Sequence, residues 1–175
     1  MKRYSIFLSR IIAFVLFLFP ASFMIVPATA SEICDPFSLS IISHTAFVVN
    51  HGLQIEMVCF SDGSKEVITT TKSLNAYNQV TANRTSTLYT ADNKIIAKVT
   101  LTGTFSYNGI ASICTNARAN VTIYLSGWSI VSEDTGHSGN TASTEVELAM
   151  KILGITVQSK IVNSTITCDK DGNIT

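Results

Sequence analysis

The chain has 175 residues, 12 Lys plus Arg against 12 Asp plus Glu, 46% hydrophobic residues and only 14% charged ones. That length suits one domain of ordinary size, and no Pro-rich or Gly/Ser-rich linker divides it. The cations form no stripe of the kind a phosphate backbone requires, which argues against nucleic acid as a partner.

Lys2, Arg3 and Arg10 open the chain, an apolar run fills residues 11–19, and Ala28-Thr29-Ala30 closes the stretch. A positive start, an apolar middle and a small-x-small site are the layout of a secretory signal peptide. Residues 1–30 are therefore read as signal and 31–175 as a single secreted domain, 145 residues once 30 are removed from 175. The alternative is an uncleaved anchor retained at the membrane, since residues 11–30 approach the roughly 20 residues of a spanning helix. Pro20, Pro27 and the Ala-x-Ala site oppose it. Glu32, two places before Cys34, makes lipidation of that cysteine a poor fit. All three amino-terminal cations leave with the signal, so nine cations face twelve carboxylates and the secreted part is mildly negative.

Residues 39–50 are mostly apolar without strict alternation, and Asn50-His51-Gly52 signals a turn. Residues 53–60 alternate as a second strand, and Ser61-Asp62-Gly63-Ser64 is a turn in which Asp bonds its own backbone and Gly takes the left-handed position. The β-branched run 65–71 continues the meander, whereas 72–87 shows no sustained period and reads as a crossover with a short strand near residues 79–81.

Residues 94–109 carry the clearest pattern. Ile95, Ala97, Val99, Leu101, Gly103, Phe105 and Tyr107 alternate with residues that are, after Ile96, hydroxyl-bearing or charged. Side chains in a strand point to opposite faces with period two, so this is a long strand with one face on a core. Asn108-Gly109 predicts a type I′ turn, and residues 110–115 the hairpin partner. Residues 120–126 form another strand, Gly127 and Trp128 mark a bulge, and 129–132 resume it. Residues 133–140, EDTGHSGN, read as a polar loop. Over 141–154, Thr144 and Glu147 match a helix capping box, but Ala142, Thr144, Val146, Leu148, Met150 and Ile152 alternate at period two, so a strand is expected. Residues 155–168 add one or two strands and 169–173 a terminal turn. Eight to ten short strands predict an all-β, antiparallel β-sandwich.

Cys34, Cys59, Cys114 and Cys168 all lie in the exported part. An even count in an oxidising compartment favours two disulfides, with three connectivities that sequence leaves open. Pairing Cys34 with Cys59 and Cys114 with Cys168 would tie the two ends of each run of strands. On the chain-entropy model such loops, of about 25 and 55 residues, are worth roughly 3.5 and 4 kcal/mol. No cysteine pair has the close spacing of a zinc site, and no cofactor or metal is expected.

Asp134-Thr135-Gly136 is the tripeptide of aspartic proteases, yet those enzymes need two aspartates sharing a proton and a single copy would need a symmetric dimer. Gly136-His137-Ser138-Gly139 misses the nucleophile elbow, because Asn140 stands where the second glycine belongs. His44 lies in an apolar strand and His51 in a turn, so neither makes a convincing base. Asp169-Lys170-Asp171-Gly172-Asn173 echoes a calcium loop, but its glycine comes at the fourth position rather than the sixth and the distal glutamate is missing. Tyr107, Tyr124 and Trp128, with Tyr89, are the candidate ligand-facing aromatics, since exposed rings on a sheet stack on sugars or anchor proteins. The competing reading of Trp128, as the single Trp of a sandwich core, is the one preferred.

Ala91-Asp92-Asn93-Lys94, Phe105-Ser106-Tyr107-Asn108-Gly109, Cys114, Trp128, Ser138-Gly139-Asn140 and Cys168-Asp169-Lys170-Asp171-Gly172-Asn173 together resemble a set of small exported β-rich proteins of Gram-positive bacteria. The resemblance covers residues 89–173, about half the chain, and rests mostly on turn chemistry. It supports pairing of Cys114 with Cys168 and brings no catalytic residues. The expectation is a secreted, non-enzymatic, monomeric module that binds an extracellular protein or glycan through a Ser/Thr-rich exposed face. After signal cleavage no membrane contact is expected. A secreted antimicrobial or toxin-like effector is the alternative.

Overall fold

The long strand foreseen over residues 94–109 is the fifth strand of a six-stranded antiparallel sheet, one in from its edge. The computed structural model describes residues 40–49 and 53–175; the expected signal peptide, Cys34 and His51 lie outside them. Among the described residues there are nine strands and no helix. They are β1 (Ile41–Val49), β2 (Leu53–Phe60), β3 (Lys65–Ala76), β4 (Gln79–Tyr89), β5 (Ile95–Tyr107) and β6 (Ser112–Ile123), then β7 (Trp128–Ser138), β8 (Thr141–Ile152) and β9 (Ile155–Thr167). The first six form one sheet in sequence order and the last three a second. Every pairing is antiparallel and joins neighbours along the chain.

The chain is therefore all-β, as its periodicity implied. In β5 the residues Ala97, Val99, Leu101, Gly103 and Phe105 are buried, and those between them are partly exposed. Val80, Ala82, Leu101, Phe105 and Cys114 of the larger sheet meet Ala142 and Ile166 of the smaller one, with Cys168 and Ile174 beyond it. A second cluster joins Leu88, Ile96, Ala97 and Val99 to Trp128, Val146, Leu148 and Val162. The inner faces of the two sheets thus share one apolar layer, which removes this surface from water and supplies the main stabilising term. Gly103 is fixed by that layer, because a Cβ there would come within 2.7 Å of the Phe105 ring.

Several expected boundaries move. Residues 72–87 are not a crossover: β3 runs on to Ala76 and β4 starts at Gln79. Period two was hidden there because Arg84 and Ser86 stand at inward positions where apolar residues would have advertised it. Residues 112–123 form one strand rather than two, broken only by a bulge opposite Thr104 and Phe105. The polar stretch 133–140 is mostly strand, since β7 is an edge strand whose exposed residues need not alternate. Asn108 does not take positive φ; its Oδ1 accepts the backbone N–H groups of Ile110 and Ala111 at 3.0 and 2.9 Å, closing a longer turn. The type I′ geometry falls instead at Leu153-Gly154, with φ of +51° and +82°. Residues 141–152 are strand, as alternation and not the capping box indicated.

No disulfide lies at bonding distance among the described residues: Cys59, Cys114 and Cys168 are free thiols. This corrects the expected Cys114 to Cys168 bond. The two residues belong to one core cluster, but each thiol points at a backbone carbonyl, Asn116 for Cys114 at 3.3 Å and Asp169 for Cys168 at 3.4 Å. Burial pushes both thiols up, and for Cys168 the neighbouring Asp169 charge pushes further. Little thiolate is then present to start oxidation.

Candidate functional site

The outward positions of β3 to β6 form a lattice. Register places Ser73, Thr81, Thr104 and Asn116 in one row across the sheet, Thr71, Asn83, Thr102 and Arg118 in the next, and Thr69, Thr85, Thr100 and Asn120 in a third. A fourth row holds Val67, Thr87, Lys98 and Thr122. Strand geometry sets rows about 6.7 Å apart and columns about 4.8 Å apart, so hydroxyl and amide groups recur at fixed intervals over four strands. Thr hydroxyls bond across strands, Thr81 to Thr104 at 3.2 Å and Thr85 to Thr100 at 3.1 Å, while Thr102 donates to Asn83 at 2.7 Å. These bonds fix rotamers that would otherwise be lost to entropy when a ligand docks.

The lattice contains no carboxylate. Its charges are Lys98 and Arg118, and Arg118 lines a shallow depression with Thr100, Thr102 and Asn120. At one end two aromatic pairs flank it: the Lys98 ammonium lies 5.8 Å from the centroid of Tyr124, and Lys65 lies 5.2 Å from that of Tyr89. The outer face of the smaller sheet has the opposite character, with Asp134 beside Glu145 and with Glu147 one row away.

No family model, no curated protein and no solved structure matches the chain.

The aromatic candidates do not converge. Tyr124 is exposed at the lattice edge, Trp128 is buried in the second core cluster, and Tyr107 is half-buried against the first. Tyr107 lies over the carboxy-terminal turn, so close that a Cβ on Gly172 would fall within 2.6 Å of its ring. Asp134 and Gly136 sit on β7 opposite Glu145 and Ser143. His137 and Ser138 are consecutive residues of β7, whose side chains alternate in direction, although both line one open depression with Asp134 and Glu145. Asp169 closes the last turn by accepting the N–H groups of Asp171 and Asn173, both at 2.8 Å, with the Asn173 amide at 2.9 Å. The Asn173 bonds, side chain first, hold its carboxyl below the usual range. Among the described residues no three His, Cys, Asp or Glu side chains converge to hold a metal.

One constellation was invisible in the sequence. Lys160 of β9 is 4% exposed at its side chain and reaches the β2–β3 turn, 2.7 Å from Ser64 Oγ and 3.5 Å from Asp62 Oδ2, with its ammonium 4.9 Å from the Phe60 ring centroid. Gln158 donates to the same Asp62 oxygen at 3.1 Å. Burial lowers Lys160, and Asp62 and Glu66 only partly restore it. Burial also raises Asp62, but the side-chain and backbone bonds from Ser64, with Lys160 beside it, outweigh this and leave the carboxyl low. Glu66 is raised by its own burial, which Ser86, Arg84 and Lys160 do not offset. Ser64 is 3% exposed, so the Lys160 to Ser64 contact has no opening to a substrate. The cluster clamps one sheet to the other. Further out, Glu56 joins His44 at 3.3 Å to Arg84 at 2.8 Å.

Proposed function

We propose that this is a secreted, non-enzymatic binding module, a β-sandwich whose larger sheet presents its outer face to an acidic extracellular polysaccharide. The observation that carries the reading is the lattice itself: hydroxyl and amide groups in register over four strands, two cations among them, and no carboxylate. An extended sugar chain offers donors and acceptors at regular intervals, and a preordered array meets them at small entropic cost. Tyr124 and Tyr89 supply rings for stacking at one end, while Lys98 and Arg118 favour an anionic chain. The amino-terminal layout supports export.

The test is binding of purified residues 31–175 to an acidic and a neutral polysaccharide, alone and with Arg118→Ala or the pair Thr100→Val and Thr102→Val. The acidic polymer is expected to bind more tightly. Arg118→Ala should weaken it about tenfold, the effect of losing one charge-assisted hydrogen bond. Equal binding by all variants sinks the proposal. Killing of neighbouring bacteria at nanomolar dose would replace it with the effector reading.

A further inference from the structure

The β8–β9 hairpin projects past the sheet that supports it. Its neck is fixed on one side by the Lys151 N–H donating to the Gly127 carbonyl at 3.0 Å, and on the other by Gln158 donating to Asp62. Beyond that neck, residues 151–157 are all exposed, and they read Lys-Ile-Leu-Gly-Ile-Thr-Val. Leu153, at the apex, is 98% exposed. Ile152 and Ile155 are register partners and therefore stand on one face, while Val157 falls at a bulge near the neck. The apex residue occupies left-handed backbone, where Asn or Gly would be at ease and Leu is not. An aliphatic side chain is thus held in water at a position that disfavours it twice over.

We infer that this apex is a membrane contact, inserting into the headgroup and acyl boundary of an anionic lipid bilayer. Three observations select lipid over a protein surface. Stable interfaces between two copies cover about 800 Å² on each partner, and four aliphatic side chains on a two-stranded finger cannot supply that. The apolar groups are gathered at the tip, Leu153 at its end and Ile152 and Ile155 just below it, which suits immersion of the tip and not face-to-face docking. Finally, residues 148–168 contain no Asp or Glu; their charges are Lys151, at the neck, and the buried Lys160. Lys151 can lie along the hairpin with its ammonium among acidic headgroups. This contact revises the expectation of no membrane association after signal cleavage, and it is independent of the polysaccharide reading.

The experiment is sedimentation of purified residues 31–175 with vesicles of phosphatidylglycerol and phosphatidylcholine, against phosphatidylcholine alone, for the parent and for Leu153→Asn. Asn accepts the left-handed backbone, so the variant keeps the fold and loses only the aliphatic apex. The parent should pellet with the anionic vesicles more than with the neutral ones, and Leu153→Asn should lower that partition about tenfold. A second variant, Leu153→Trp, should shift its emission to the blue when anionic vesicles are added, over the constant background of buried Trp128. No pelleting by the parent, or equal pelleting by Leu153→Asn, overturns the inference. So does a concentration-dependent dimer that Leu153→Asn dissolves, since the apex would then meet a second copy. Polysaccharide binding should be the same in parent and variant, which keeps failure of the two readings distinguishable.

Discussion

Replacing Asp62 by Ala should destabilise the fold far more than replacing Lys160 by Met, although both changes break the same ion pair. Lys160 lies 3.5 Å from Asp62 with its side chain 4% exposed, whereas the Asp62 side chain is 27% exposed. Removing one partner of a fully buried pair costs about 3–5 kcal/mol because a charge is left without its counter-ion. Two features reduce that figure for Asp62→Ala. The site is partly wet on the carboxylate side, and the stranded ammonium keeps Ser64 and the Glu66 charge. About 2 kcal/mol remains, and loss of the Ser64 N–H bond to Asp62, 2.9 Å long, adds about 1 kcal/mol. A loss of about 2–3 kcal/mol corresponds to roughly 8–12 °C in Tm for a domain of this size. Lys160→Met instead removes the buried charge and leaves an apolar chain against Phe60, so its cost should stay within about 1 kcal/mol. Urea titrations of both single variants and the double variant measure this, with an unchanged m-value as the control. In the Lys160→Met background the cost of Asp62→Ala should fall by at least about 1 kcal/mol. Lys160→Met costing as much as Asp62→Ala would refute the clamp.

Glu66 makes a pH-dependent prediction. Its folded value is raised above 4.5, so its favourable contribution is complete below pH 4.5 and is lost as pH rises through the folded value. The stability difference between Glu66→Gln and the parent should therefore be flat below pH 4.5 and move in favour of Glu66→Gln above it, as read by urea midpoints across pH. Gly103→Ala places a Cβ 2.7 Å from the Phe105 ring and 3.1 Å from Ala142 Cβ, and should cost about 1–3 kcal/mol by thermal unfolding. Leu153→Gly, at φ +51°, should raise stability by about 1 kcal/mol, the left-handed cost exceeding the entropy Gly adds to the unfolded chain. Cys114 and Cys168, buried and raised, should react with a thiol reagent only as fast as the domain opens, whereas half-buried Cys59 reacts ahead of them.

What could be read from the chain was what period two displays. β5 announced itself because every inward residue from Ala97 to Phe105 is apolar or glycine and most outward ones bear hydroxyls. β8 was separable from a helix for the same reason, its buried residues Ala142, Thr144, Val146 and Leu148 falling two apart. β4 was missed where Arg84 and Ser86 interrupt the inward series, Arg84 because its charge is answered by Glu56, 28 positions away. The site was legible only in composition. A Ser/Thr-rich face could be foreseen, but its rows exist through register among four strands, and a one-residue slip of any strand would scatter them. The Lys160 clamp had no local signal at all, since its partners lie 96 and 98 positions earlier.

The order in which the sheets are laid down along the chain has a consequence for biogenesis. The first six strands pair only with their neighbours, so each hairpin can close as soon as its second strand leaves the ribosome or a translocation channel. Among the described residues, those of the smaller sheet and the turn after it that pack on Val80, Leu88, Val99, Leu101 and Phe105 all come later, from Trp128 onward. A chain stopped near residue 125 would be a well-paired sheet with one greasy side bare, a substrate for chaperones and for clumping. The emergence of β7 to β9 is therefore the step that takes this apolar face out of water.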